Sequence, residues 1–230
     1  MIRRDYILRM LEEFFEMLSR IRALQKGQKW SEANLIAEKE FQQLVGASVQ
    51  TVASMSETEL LAHLIRGEPT LAVREKALML ATLLKEAGDI ASGEGRAEES
   101  RSSYLKGLHL LLGILAREEV FECPAFVPRV EAFLAGLGDS ALPLTTQAML
   151  MQHYERLAEF AKAEDALFAM IQEQPGNLEL LNFGIGFYQR LERQSDDALT
   201  AGNLPRSEIQ AGLAQLVARR SVEPAKQSPN

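Results

Sequence analysis

The residues with side chains suited to chemistry are three histidines, one cysteine and a few acidic clusters, and their spacing decides what each could do. His63, His109 and His153 are far apart in the sequence. Only Glu59 with His63 has the four-residue spacing that places two ligands on one helix face. A zinc site takes four ligands, or three and a water, so this pair reads as ordinary helix-surface pairing and no metal is expected. Cys123 precedes Pro124 with no histidine near it in sequence to take its proton, which argues against a nucleophile. As the single cysteine it also excludes an intramolecular disulfide, and a reducing cytoplasm is expected. Gly93-Glu94-Gly95 lacks the Gly-Lys-Ser/Thr of a phosphate-binding loop and follows a helix rather than a strand. Glu118, Glu119 and Glu122, and Asp196 with Asp197, read as solvated helix ends. No catalytic residue and no cofactor is expected, and the chain reads as a non-enzyme.

Two further features concern glycine and arginine. Gly184 and Gly186 lie in a helical stretch, where glycine costs about 1 kcal/mol relative to alanine. Close helix packing is the simplest reason for them. Arg3 and Arg4 sit at the positive end of the first helix dipole, which points to an acidic neighbour on this or a partner chain.

The elements that must position these residues are helical, because apolar residues recur at spacings of three and four and sustained alternation is absent. The net charge is -7, yet residues 1 to 30 carry seven bases and four acids, so the remainder is strongly acidic. An acidic body repels phosphate backbones, and nucleic-acid binding is not expected. No uncharged apolar run of about 18 residues occurs, so no membrane span is expected. Met1 to Asp5 lead into Glu12, Glu13 and Glu16 where a signal peptide would be apolar.

The first helix is expected over Arg3 to Lys26, ended by Gly27, and the second over Trp30 to Val45, ended by Gly46. Ser56 and Glu59 form a capping box that opens a short third helix, closed by Gly67 and Pro69. Helices over Leu71 to Ala91 and Ala97 to Arg117 should pair as an antiparallel hairpin across Ser92 to Gly95. A sixth helix starts with Pro128 in its first turn and ends at Gly136 to Asp139, and the stretch Gly138 to Pro143 is the natural joint. Beyond it helices are expected near Leu144 to Phe160, Ala163 to Glu173, Leu178 to Arg193 and Pro205 to Arg220. Residues 1 to 138 and 139 to 220 thus form two helical regions, followed by a polar tail over 221 to 230 expected to be disordered.

An internal repeat is visible in Leu150, Tyr154, Ala158, Phe160, Ala163, Leu167 and Pro175, whose succession of bulky, aromatic, small and proline positions resembles the tetratricopeptide (TPR) unit of about 34 residues. A second unit begins at Asn177, a good N-cap, with Leu180, Phe183, Gly184 and Phe187, and degenerates near Ser195-Asp196-Asp197. Ala87, Gly88, Gly95, Ser100, Tyr104 and Gly107 form a partial unit upstream, and Trp30-Ser31-Glu32-Ala33 a fainter one. Met1 to Met10 and the Tyr154 to Phe168 segment also resemble an uncharacterised bacterial family with TPR-like helices, for which no activity is assigned. The resemblance implies an all-α, TPR-like solenoid of antiparallel hairpins, irregular and interrupted by the Cys123 to Gly138 segment.

Repeats of this kind bind protein or peptide partners in the groove of their first helices. Mapping the groove positions of the resemblance onto this chain gives Gln152, Glu155, Arg156, Leu181, Ile185, Tyr188 and Gln189 as the expected binding surface of a scaffold or adaptor. The alternative is a self-associating structural protein, a homodimer through the first helix, where Met10, Phe14, Phe15 and Leu18 spread apolar surface over a wide arc. A small-molecule sensor or cryptic enzyme ranks third. Ala158 and Ala163 are expected where two helices cross closely, so that Ala163→Leu overpacks while Lys162→Leu does not.

Overall fold

The computed structural model describes residues 2–65, 70–117 and 123–222, and every regular element among them is a helix. The chain divides into two compact units, Met1–Ser140 and Ala141–Asn230, with the division inside the Gly138 to Pro143 stretch.

Unit 1 holds α1 (Ile2–Lys26), α2 (Trp30–Val45), α3 (Val49–Ser54), α4 (Glu57–Ile65), α5 (Thr70–Gly93), α6 (Ala97–Leu115) and α7 (Val130–Leu137). α5 packs against α1, α2, α4, α6 and α7. That central position explains its composition, since every residue from Ala77 to Leu84 is buried, and a helix apolar on all sides must be surrounded. Its one wholly buried acid, Glu86, is matched by Arg22 of α1 at 2.8 Å. Unit 2 holds α8 (Leu144–Arg156), α9 (Phe160–Glu173), α10 (Leu178–Leu191), α11 (Asp196–Ala201) and α12 (Arg206–Val222), packed mainly as the pairs α8 with α9 and α10 with α12. No helix among the described residues is long and apolar enough to cross a membrane.

Three hairpins are closed by one and the same turn. After α1, α5 and α8 a left-handed residue, Gln28 (φ 56), Gly95 (φ 74) or Ala158 (φ 57), reverses the chain. The next backbone N–H reaches five residues back, Lys29 to Leu24 at 2.9 Å, Arg96 to Ala91 at 2.8 Å and Glu159 to Tyr154 at 2.9 Å, which satisfies helix-end carbonyls as in a Schellman cap. The following helix then starts, and its fourth residue is small and buried: Ala33, Ser100 or Ala163. The pattern fits close approach of the paired helices, which a bulky residue would prevent.

Several expected boundaries change. α1 ends at Lys26 ahead of Gly27 as expected, with the left-handed residue one further on, at Gln28. Ala158 is an exposed turn residue and not a contact at a helix crossing. Phe160 opens α9 instead of closing the helix before it, and Pro128 precedes α7. α3 and α11 were not expected from the sequence; each is six residues long and capped by a serine, Ser48 accepting from Thr51 N–H and Ser195 from Ala198 N–H. The Ser56 and Glu59 capping box forms as expected, with Ser56 N–H to Glu59 at 2.8 Å and Glu59 N–H to the Ser56 hydroxyl at 3.2 Å. Asn177 caps α10, accepting from Leu180 N–H at 3.1 Å. Gly67, Pro69, Glu118, Glu119, Glu122 and the tail from residue 223 lie outside the described residues, while Ser221 and Val222 continue α12. The side chains of Arg3 and Arg4 are likewise outside.

Candidate functional site

α10 owes its inner face to Leu181, Ile185 and Tyr188, spaced four and three apart, which brings them onto one side of a helix. The repeat geometry expects this side to be open. It is closed, with Leu181 and Tyr188 at 0% exposure and Ile185 at 5%. The covering element is α12, whose Ile209, Gly212 and Leu216 form a matching buried stripe. A Cβ on Gly212 would overlap the Tyr188 hydroxyl, and one on Gly184 would stand 2.6 Å from a Leu216 methyl, so both glycines permit contact that larger residues would block. Gly186 meets only the Arg190 side chain and has no such role. Arg220 of α12 also donates to Asn182 at 3.2 Å.

Of the other expected groove residues, Gln152, Arg156 and Gln189 are exposed. Glu155 accepts both arms of the Arg190 guanidinium, at 2.7 and 2.8 Å, a bidentate pair that ties α8 to α10. What remains of the expected surface in unit 2 is therefore a set of polar side chains without an apolar floor.

Two buried tyrosines repeat one arrangement in the two units. Tyr188 of α10 donates to Glu164 of α9 at 2.5 Å, and Tyr104 of α6 donates to Asp89 of α5 at 2.7 Å, with its ring between Gly88 and Gly136. Burial, then the neighbouring carboxylate, pushes both phenols upward, and burial raises the Glu164 carboxyl. Phenols held this firmly protonated do not serve as bases near neutrality; they pin neighbouring helices.

The remaining residues with chemical potential are occupied or inactive. Glu59 is spent on its cap, which together with the Ser56 hydroxyl holds its carboxyl below the usual range. Cys123 is exposed, and partial burial raises its thiol despite Arg74 and Arg129, the opposite of an activated nucleophile. Asp196 pairs with Arg206 at 2.5 Å, and the same guanidinium donates to the Glu192 and Gln194 carbonyls, so this acid orders the α10–α11 loop. Among the described residues no group of three or more His, Cys, Asp or Glu is arranged to hold a metal ion.

The open surface lies in unit 1. α1 buries Phe14, Leu18 and Ile21 in its own unit, and Phe14 and Phe15 both meet Phe126 edge-on, at 5.7 and 5.3 Å. A second stripe of α1, Tyr6, Met10, Glu13, Met17 and Arg20, runs at spacings of four and three along another side. With Leu35, Ile36, Lys39 and Glu40 of α2 and Lys76 and Met79 of α5 it lines a cleft of about 590 Å³. Leu35 is 73% exposed beside it. Burial, with Glu13 adding like charge, raises the Glu40 carboxyl. The sequence signal for this cleft was the four-and-three stripe of α1 that continues outside its buried face. A smaller cleft of about 340 Å³ lies between α2, α3, α5 and α6, and its Arg96 is matched internally by Glu94 and Glu99.

These features define, among the described residues, an all-helical protein of paired helices with an open cleft of mixed apolar and charged lining in unit 1. The model of a family of unknown function (DUF6483) matches residues 1–221, and the chain belongs to that family. No curated protein and no solved structure matches it.

Proposed function

We propose that this protein is a non-enzymatic interaction module of TPR-like helix hairpins, acting in the cytoplasm, and that its polypeptide partner docks on the α1–α2 cleft of unit 1. The observation that carries the reading is the combination in that cleft of flexible, polarisable methionines, the exposed Leu35 and charges of both signs. Methionine-rich apolar clefts suit helical or extended partner segments because the side chains refit to different shapes. The shared turn of the three hairpins and the small buried residue after each support the TPR-like description. Unit 2 serves as a scaffold in this reading, since α12 already occupies the face that a repeat groove would offer.

A photo-crosslinking amino acid placed at Leu35 in the full chain, expressed in its native host, tests the proposal, with Gln189 of unit 2 as the control position. A discrete polypeptide adduct from position 35 and none from position 189 is the expected result. No adduct at position 35 above the control overturns it.

A further inference from the structure

Resting on that reading of the cleft, we infer that its occupant is a second copy of this chain, with the two α1 helices antiparallel about a two-fold axis near Met17. The stripe carries one acid, Glu13, and one base, Arg20, seven residues apart and so about 10 Å along the helix. Neither is in an ion pair with another described residue. In a two-fold contact each residue that meets another is met by it in return. An antiparallel crossing midway between the two sets Glu13 of one copy against Arg20 of the second and Arg20 against Glu13, giving two opposite-charge pairs from one patch. A parallel crossing in register sets acid on acid and base on base, so the charge pattern selects orientation as well as partner. The apolar members follow the same symmetry, since Met10 of one copy approaches the Leu24 region of the second while the Met17 side chains meet near the axis.

The surroundings fit this occupant. Glu13 and Glu40 face the same cleft and repel each other, as the raised Glu40 carboxyl reflects, with Lys39 opposing the effect only in part. An arriving guanidinium relieves that repulsion at the place where the second Arg20 falls.

Sedimentation velocity of the full chain over a concentration series tests the inference. The wild type should dimerise. Glu13→Arg and Arg20→Glu each create like-charge contacts twice over and should weaken the dimer by at least about tenfold. The double variant Glu13→Arg plus Arg20→Glu should restore affinity to within about threefold of wild type, because both pairs re-form with signs exchanged. Both positions are exposed, and circular dichroism confirms that each variant folds. A wild type that stays monomeric at the highest soluble concentration overturns the inference, as does a dimer that the double exchange fails to rescue. If the chain is monomeric while a crosslinker at Leu35 captures a different polypeptide, the interaction reading stands and the second copy falls. If it is monomeric and no adduct forms, both fall.

Discussion

Replacing Gly212 with alanine tests whether α12 truly closes on α10. The added Cβ would overlap the hydroxyl and Cζ of Tyr188, a ring that is wholly buried and tied to Glu164 at 2.5 Å. Within a helix, glycine to alanine alone favours the helix by about 1 kcal/mol. Overpacking a filled core costs about 1 to 3 kcal/mol. Gly113 in α6 provides the reference, because a Cβ there meets nothing within 4 Å. The propensity gain is common to both substitutions, so their difference is the overlap. Gly113→Ala should stabilise, and Gly212→Ala should be less stable than Gly113→Ala by about 1 to 3 kcal/mol. Urea unfolding followed by circular dichroism measures both. With two units the transition need not be two-state, so hydrogen exchange of α10 and α12 amides locates the loss. Adding Tyr188→Phe removes the nearest clashing atom and should shrink the penalty of Gly212→Ala, the non-additivity that touching residues show. Equal stability of the two alanine variants would refute the close packing of α12 on Tyr188.

Ala158→Gly should raise the melting temperature, because alanine in the left-handed region costs about 1 kcal/mol that glycine does not; a lower melting temperature would refute the turn assignment. Ala163→Leu should cost about 1 to 3 kcal/mol by overpacking a site with no exposed surface. Lys162→Leu should cost about 1 kcal/mol or less, the worth of its surface pair with Glu159 and its place over the Tyr154 ring, and equal losses in the two melts would show that Ala163 is not confined. Glu40 has its folded-state pKa raised by burial and by Glu13, so its stability contribution is complete below the ordinary carboxylate range and is lost as pH rises through the raised value. Glu40→Gln cannot ionise and should therefore unfold at higher urea than wild type at about pH 7 but not at about pH 4, whereas a gain independent of pH would refute the assignment.

Much of the helical framework was legible because its punctuation is local. Gly46 adopts φ 68 at the end of α2, Gly138 φ 58 after α7, and Ser56 and Asn177 cap the helices they precede, all through contacts within a few residues. α3 and α11 escaped because six-residue helices show no periodicity, and Ser195-Asp196-Asp197 reads as a decayed repeat until Ser195 is seen as a cap and Asp196 as the partner of Arg206. Ala158 escaped because a small residue suits both a close crossing and a left-handed turn. Leu181, Ile185 and Tyr188, expected in an open groove, are buried for a longer-range reason. Groove positions taken from a repeat assume that nothing follows to cover them, yet Ile209, Gly212 and Leu216 already formed a stripe that required a neighbour. Likewise Phe14 and Leu18, set with Met10 and Phe15 as one arc for self-association, are spent inside unit 1, and only the stripe of Met10 and Met17 faces the cleft.

In the proposed reading, association uses the α1–α2 cleft and not the surface of unit 2. Hydroxyl-radical footprinting of the full chain in its associated and dissociated states measures this directly, because Met10, Met17 and Leu35 report on the cleft and Leu157, 55% exposed, reports on unit 2. Association should protect Met10, Met17 and Leu35 while Leu157 stays reactive; protection of Leu157 with Leu35 still reactive would contradict docking on the cleft.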